Sequence, residues 1–181
     1  RVRATSTSGA FPAFDTASSS SRSPVVSSPP ILVTRIRGCG GGGLSSGIAL
    51  AFEARAPGLR VRTAEPQGFD DMARSLASGR HERNPAPAGS ICDAILTPSP
   101  GELTLPILAR LAGPGAVITD DQALQAMALA FTHLRIVLEP GGAVALAAAL
   151  FSDDLPDSVI AVATGGKVDP ATFATALDRF A

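Results

Sequence analysis

Four consecutive glycines, Gly40, Gly41, Gly42 and Gly43, stand between an apolar, β-branched run and a stretch of good helix formers. A strand, a glycine run and a helix in that order make a recipe for holding an anion. Glycine admits positive φ and leaves no Cβ in a ligand's way. The first amides of a helix have no internal acceptor, and its dipole adds partial positive charge there. The spacing Gly38, Gly40, Gly43 also spells G-x-G-x-x-G, and Glu65 closes the next strand 22 positions beyond Gly43. A dinucleotide-binding fold holds its ribose from such a position. Against that reading, Arg35 and Arg37 are awkward in a strand buried on both faces. A dinucleotide also leaves a later turn, Thr164-Gly165-Gly166, without a role. In open α/β sheets ligands collect at the carboxyl ends of strands. There the glycine loop offers anion donors, while Glu139-Pro140-Gly141-Gly142 and Thr164-Gly165-Gly166 can offer a carboxylate and a hydroxyl to a polar ring. A small phosphorylated heteroaromatic cofactor suits that set.

The elements that must position these residues follow from pattern. Strands are expected over 31–36, 59–65, 116–118 and 159–163, each apolar or β-branched and bounded by turn residues. Helices are expected over 44–56, 69–79, 103–111, behind the Pro140-Gly141-Gly142 turn as far as Phe151, and over 170–180. Thr119-Asp120-Asp121-Gln122 has capping-box spacing, and behind it Ala123, Met127, Ala130, Phe131 and Leu134 form an apolar stripe that should face a core. Residues 80–101 read as a Pro- and Gly-rich connection. Strands alternating with helices predict an α/β fold, an open, mainly parallel sheet with helices on both faces. Residues 1–30, with nine serines and no periodicity, are expected as a disordered tail outside a domain spanning 31–181.

Composition narrows the function classes. An apolar fraction of 45% with mean hydropathy +0.26 is globular. A net charge of −1 gives no footing for nucleic acid, and no apolar run approaches the roughly 18 residues of a membrane span. Cys39 and Cys92 lack metal or disulfide spacing, so a reducing, cytoplasmic setting is expected. Cys39 reads as packing, and His81 and His133 as structural. Lysine occurs once, at Lys167, where a solvated turn is the expectation. The sequence begins at Arg1 and its first methionine is Met72, which reads as a fragment or a processed product.

Five motifs in order carry a family resemblance. Gly40–Leu44 with its helix, Glu65-Pro66-Gln67-Gly68-Phe69-Asp70-Asp71 and Pro100-Gly101-Glu102-Leu103-Thr104-Leu105-Pro106-Ile107 come first. Glu139-Pro140-Gly141-Gly142-Ala143 and Thr164-Gly165-Gly166-Lys167-Val168-Asp169 follow. Together, from about Ile31 to Ala181, they resemble the later half of the threonine dehydratase and serine racemase family, fold type II pyridoxal-phosphate enzymes related to the tryptophan synthase β chain. The resemblance implies that Gly40, Gly41, Gly42, Gly43 and the Leu44 amide hold the phosphate of pyridoxal 5'-phosphate. It places Thr164 at the pyridine nitrogen, where the family usually has Ser, and Glu139 near the ring edge. Ala94 replaces a glycine that usually approaches the cofactor. Glu65, the carbonyl of Phe69 and Asp71 match the family's divalent-cation site, all oxygen donors as Mg²⁺ or Ca²⁺ prefers. The implied reaction is a threonine/serine ammonia-lyase (dehydratase) reaction on L-threonine or L-serine, with racemisation alongside and a homodimer for the whole enzyme.

Departures matter as well. The family's Schiff-base lysine belongs to its earlier half, and Lys167 matches an Asn position on the wrong side of the ring. A truncated chain, inactive alone, is therefore expected, and feedback control by a domain after Ala181 is not. Residues 16–37 depart from the pattern as a shifted reading frame would. Two alternatives stay open: a non-catalytic remnant and a Rossmann-type dinucleotide binder.

Overall fold

The first strand runs past its expected end. In the computed structural model, which describes residues 34–181 apart from Asp157, β1 spans Thr34–Gly38. The tail expected over 1–30 and the start of the strand expected from Ile31 lie outside the described residues. β1 pairs in parallel with β2 (Arg60–Pro66) and with β4 (Val159–Val162), and β2 pairs in parallel with β3 (Ala116–Ile118). The order is β3-β2-β1-β4. Thr34–Arg37, the described part of the stretch that departs from the family pattern, is thus in register on both sides.

Strand alternation sorts the side chains between two cores. Ile36, Ala64, Ala116 and Ile118 face α5 (Pro140–Phe151), behind which lie α4 (Asp120–Leu129) and α6 (Pro170–Phe180). Cys39 and Val61 join Ala49, Met72, Leu105 and Leu108 from α1 (Gly43–Arg55), α2 (Asp71–Ser78) and α3 (Thr104–Leu111). Every residue of α5 from Pro140 to Ala148 is buried. A helix wedged between a sheet and α4 needs small side chains all round, which its alanines supply. Among the described residues no helix is long and apolar enough to cross a membrane.

Arg35 and Arg62 are accommodated individually, whereas the buried Nε of Arg37 has no hydrogen-bond partner among the described residues. The Arg35 guanidinium lies 4.6 Å from the Phe52 ring centroid, a cation–π stack on α1. Arg37 is buried, and burial lowers its pKa. Arg62 is also buried: its Nε donates to Pro114 O at 2.7 Å and its Nη2 to Asp154 Oδ2 at 2.9 Å. That hydrogen bond holds the Asp154 carboxyl below its ordinary range.

The capping box forms as expected. Thr119 Oγ1 accepts from Gln122 N at 3.2 Å, and Gln122 Oε1 accepts from Thr119 N at 2.8 Å. Thr119→Ala should lower stability by about 1 kcal/mol, read as a lower urea midpoint with an unchanged slope. The stripe behind the box holds only in part. Ala123, Met127 and Ala130 are fully buried, but Phe131 is 36% exposed and Leu134 only half-buried. The helix widens to π turns over Ala130–Leu134, so the 3.6-residue phase that would bury Phe131 is lost. Arg135, at φ 60°, ends it.

Candidate functional site

β1 is the strand from which the connections diverge. Its own crossover leads through α1 on one face to β2, whereas the chain leaving its other neighbour, β4, leads to α6 on the opposite face. Such a reversal opens a crevice at the carboxyl ends of the two strands. Arg37 pairs with Val162, so the glycine loop and Thr164 leave adjacent parallel strands within three residues of their last registered pair. Neighbouring strands lie about 4.8 Å apart. The phosphate-holding and ring-holding candidates therefore share one end of one crevice.

The loop leaves its amides without backbone acceptors. Cys39 N still bonds Ala64 O, and the first bonded amide of α1 is Ser46 N, to Gly42 O at 2.9 Å. Between them the amides of Gly40, Gly41, Gly42, Gly43, Leu44 and Ser45 donate to no backbone carbonyl among the described residues, and that of Gly42 lies beside the Cys39 thiol. Gly41 O accepts from Gly101 N at 3.0 Å and from Thr104 Oγ1 at 2.5 Å, which turns that peptide toward α3. Gly42 sits at φ 87°, and a Cβ there would stand 2.7 Å from Met72 Cε and 2.8 Å from Thr104 Oγ1. Gly42 is thus demanded by the fold. At Gly41 and Gly43 a Cβ would meet nothing within 4 Å. Packing does not require glycine at those two positions, but a ligand resting on the backbone would.

The two later turns converge on the same place. A Cβ on Gly38 would lie 2.8 Å from Gly141 O, so the last residue of β1 touches the first turn of α5. A Cβ on Gly142 would fall 1.6 Å from Thr164 O. Thr164 N donates to Gly142 O at 3.4 Å, and Glu139 N donates to Gly165 O at 3.2 Å. Ala94, in a single 3-10 turn at Asp93–Ile95, packs against the position of a Gly141 Cβ, and Ile95 lies beside Gly40. The Glu139 carboxylate is turned toward Lys167, whose amide donates to Oε2 at 3.2 Å. Lys167 itself is exposed, as are His81 and His133. Burial pushes the thiols of Cys39 and Cys92 up to about 12, so both are unreactive at neutral pH. A roomier cavity of about 380 Å³ lies away from this crevice, walled by Ala73, Ala109 and the Gly113–Gly115 approach to β3. It lacks the convergent polar groups of the glycine turns.

Glu65 points elsewhere than a dinucleotide ribose would need. Fully buried, its Oε1 and Oε2 accept from Met72 N and Ala73 N of α2 at 2.9 and 2.7 Å. The carboxylate caps α2 and is not free to grip a ribose. Burial raises its pKa from 4.5 to about 8, with Asp71 adding to the rise and the two amides opposing it. Asp71 is raised by burial too; its Oδ1 accepts from Asn84 Nδ2 at 2.6 Å, and its buried Oδ2 has no partner. Among the described residues no three His, Cys, Asp or Glu side chains gather as a metal cluster. The expected cation set contains two carboxylates and the Phe69 carbonyl.

Sequence reasoning did not assign the clamp of Gly101 and Thr104 on Gly41. Its signal was the Pro100–Ile107 motif, recognisable but without a stated role.

A family model described as pyridoxal-phosphate dependent enzyme matches residues 34–165. The serine racemase of Oryza sativa subsp. indica is 37% identical over 148 residues, which cover 77% of this chain and 43% of that protein. A threonine deaminase from T.th. superposes with a TM-score of 0.71 at 37% identity, covering 75% of this chain and 49% of that one. Maize serine racemase superposes at 0.72 with 32% identity, covering 83% and 49%. The chain spans somewhat under half the length of these relatives.

Proposed function

Because the chain belongs to the family of pyridoxal-phosphate-dependent enzymes, matched over residues 34–165, we propose that it supplies the cofactor-anchoring part of an enzyme acting on L-serine or L-threonine. The reaction is loss of the β-hydroxyl as water followed by hydrolytic release of ammonia, so that ammonia alone is lost net and a 2-oxo acid forms, with racemisation as its companion. The observation that carries this reading is the row of amides without backbone acceptors from Gly40 to Ser45 at the crevice where Thr164 leaves the neighbouring strand. Open space at the Cβ positions of Gly41 and Gly43 fits a phosphate resting on backbone.

Pyridoxal phosphate, when bound, supplies an electron sink that acidifies the α-proton of an amino acid and eases loss of its β-hydroxyl. The chain's own part is to hold and orient. The amides of Gly40, Gly41, Gly42, Gly43 and Leu44 take the phosphate oxygens through charge-assisted hydrogen bonds. Thr164 meets the pyridine nitrogen with a neutral hydroxyl, which leaves that nitrogen largely unprotonated and suits elimination at the β carbon. Lys167, exposed beyond the turn, does not move the α-proton; a lysine outside these residues does. The chain by itself is then inactive. Its two free, buried thiols fit a reducing setting such as the cytoplasm.

The test uses the whole polypeptide that carries these residues in the cell. With pyridoxal phosphate and L-serine or L-threonine it should release pyruvate or 2-oxobutanoate, followed by coupled reduction of the 2-oxo acid. Cofactor binding without 2-oxo acid or inverted amino acid would overturn the enzyme reading in favour of a non-catalytic remnant.

A divalent cation held by Glu65, the Phe69 carbonyl and Asp71 is the second part of the proposal. Its support is the partnerless, buried Asp71 Oδ2; Glu65, whose two oxygens already accept from Met72 N and Ala73 N, would offer a cation only its remaining lone pairs. The donors are all oxygen, as Mg²⁺ and Ca²⁺ prefer. Without cation, a Glu65 carboxyl raised from 4.5 to about 8 binds its proton more tightly in the folded chain. Its contribution is therefore full below about pH 4.5 and is lost as pH rises toward 8. The melting temperature should fall across that window. Millimolar Mg²⁺ or Ca²⁺ should restore it at pH 8 but not at pH 5, because the ion needs the ionised carboxylate. Equal effects at both pH values would remove the cation from the account.

A further inference from the structure

Glu139 stands at the N-cap of α5, yet its side chain makes no capping hydrogen bond to its own helix. The carboxylate instead crosses to the turn after β4, where Oε2 accepts from Lys167 N at 3.2 Å. It fills the space a side chain on Gly165 would take: a Cβ there would lie 2.2 Å from Glu139 Oε1 and 2.4 Å from its Cδ. Gly165 is also at φ 79°. The same turn is held at two more points by the backbone before and within α5. Glu139 N donates to Gly165 O at 3.2 Å, and Thr164 N donates to Gly142 O at 3.4 Å. A Cβ on Gly166 would stand 3.0 Å from Val137 O. Residues 137–142 thus grip residues 164–167 from several sides, and among the described residues Glu139 is the side chain that hydrogen-bonds in that grip.

We propose that Glu139 is a positioning residue, whose carboxylate clamps the Gly165–Lys167 turn so that Thr164 is presented to the crevice between β1 and β4. This inference rests on the cofactor reading above and assigns Glu139 a duty different from contact with the ring edge. A carboxylate is suited to it. A charged acceptor strengthens the bond to a main-chain amide, and α5's first turn favours negative charge beside it. Freed of that acceptor, a turn containing two glycines samples many backbone states, and the Thr164 hydroxyl immediately before it loses its fixed direction. The clamp also explains the Gly at 165 independently of any ligand, because the carboxylate occupies its Cβ position.

Two variants of the full chain test this, Glu139→Ala and Glu139→Gln, the latter keeping an oxygen acceptor. The probe is pyridoxine 5'-phosphate, which has no aldehyde to react with Lys167, with inorganic phosphate as the control. Glu139→Ala should weaken pyridoxine 5'-phosphate binding about tenfold, the effect of losing one charge-assisted hydrogen bond. It should leave inorganic phosphate binding unchanged, since the glycine loop is untouched. Glu139→Gln should bind the probe within about twofold of the parent chain. Hydrogen exchange at the Lys167 amide should quicken in the alanine variant and stay slow in the glutamine variant. Equal probe affinity in the parent chain and Glu139→Ala would overturn the positioning role while leaving the cofactor reading intact. Equal loss of phosphate and probe binding would show general unfolding of the site and also overturn it. A parent chain that binds neither compound overturns the cofactor reading itself.

Discussion

Gly43→Asp should abolish binding of a pyridoxal-type phosphate ester and leave the fold as stable as before. Gly43 is the first residue of α1, whose first turn carries no acidic side chain. A Cβ there meets nothing within 4 Å. An aspartate at such a position complements the helix dipole, so stability should be unchanged or raised by about 0.5 kcal/mol. A phosphate dianion and a carboxylate compete for the same free amides, and like charges at a few ångströms repel strongly. Affinity for pyridoxine 5'-phosphate should therefore fall at least about a hundredfold. Most binding losses are confounded by unfolding; this substitution is expected to move the two observables in opposite directions or to move only one. Retained affinity with an intact fold would mean that the phosphate is held somewhere other than the loop.

The second large effect concerns Gly142. Its Cβ would be placed 1.6 Å from Thr164 O, 2.7 Å from Gly165 O and 2.7 Å from Thr164 C. All three are backbone atoms, so no rotamer change relieves the clash. α5 cannot retreat either, since it is buried from Pro140 to Ala148 between the sheet and α4. Overpacking of this kind costs upward of about 3 kcal/mol. Gly142→Ala should accordingly lose much of its cooperative urea transition or fail to accumulate as folded protein. Gly41→Ala, where the added methyl meets open space, should stay within about 0.5 kcal/mol of the parent. A Gly142→Ala protein of parental stability would mean that the two turns are not packed together as described.

Much of the layout was legible because it is local. Apolar runs bounded by Pro and Gly marked β2 and β3 to within a residue, and Thr119 with Gln122 announced the start of α4. The strand, the glycine loop and the helix behind it could be read together because they are contiguous. What escaped depends on partners distant in sequence. The hold on the Gly41 carbonyl comes from Gly101 and from Thr104, which lies 63 residues beyond Gly41. Arg62 finds Asp154 across 92 residues, so a buried arginine in a strand carried no warning of its own solution. Glu65 had the right spacing for a ribose ligand, and only the approach of α2's first amides showed that its carboxylate is already engaged. The widening of the helix at Ala130 broke an apolar period that had looked continuous through Leu134. Motif order placed Glu139 near a ring edge but gave no sign of its hydrogen bond to the Lys167 amide, 28 residues on.

Amide-resolved NMR of the full chain titrated with pyridoxine 5'-phosphate tests the central claim most directly. The account predicts that the amides of Gly40, Gly41, Gly42, Gly43 and Leu44 shift downfield and saturate together with those of Thr164 and Gly165, and that unphosphorylated pyridoxine leaves the loop amides unmoved. Loop amides that stay fixed while the phosphate ester binds, or that respond without any response at Thr164, would contradict it.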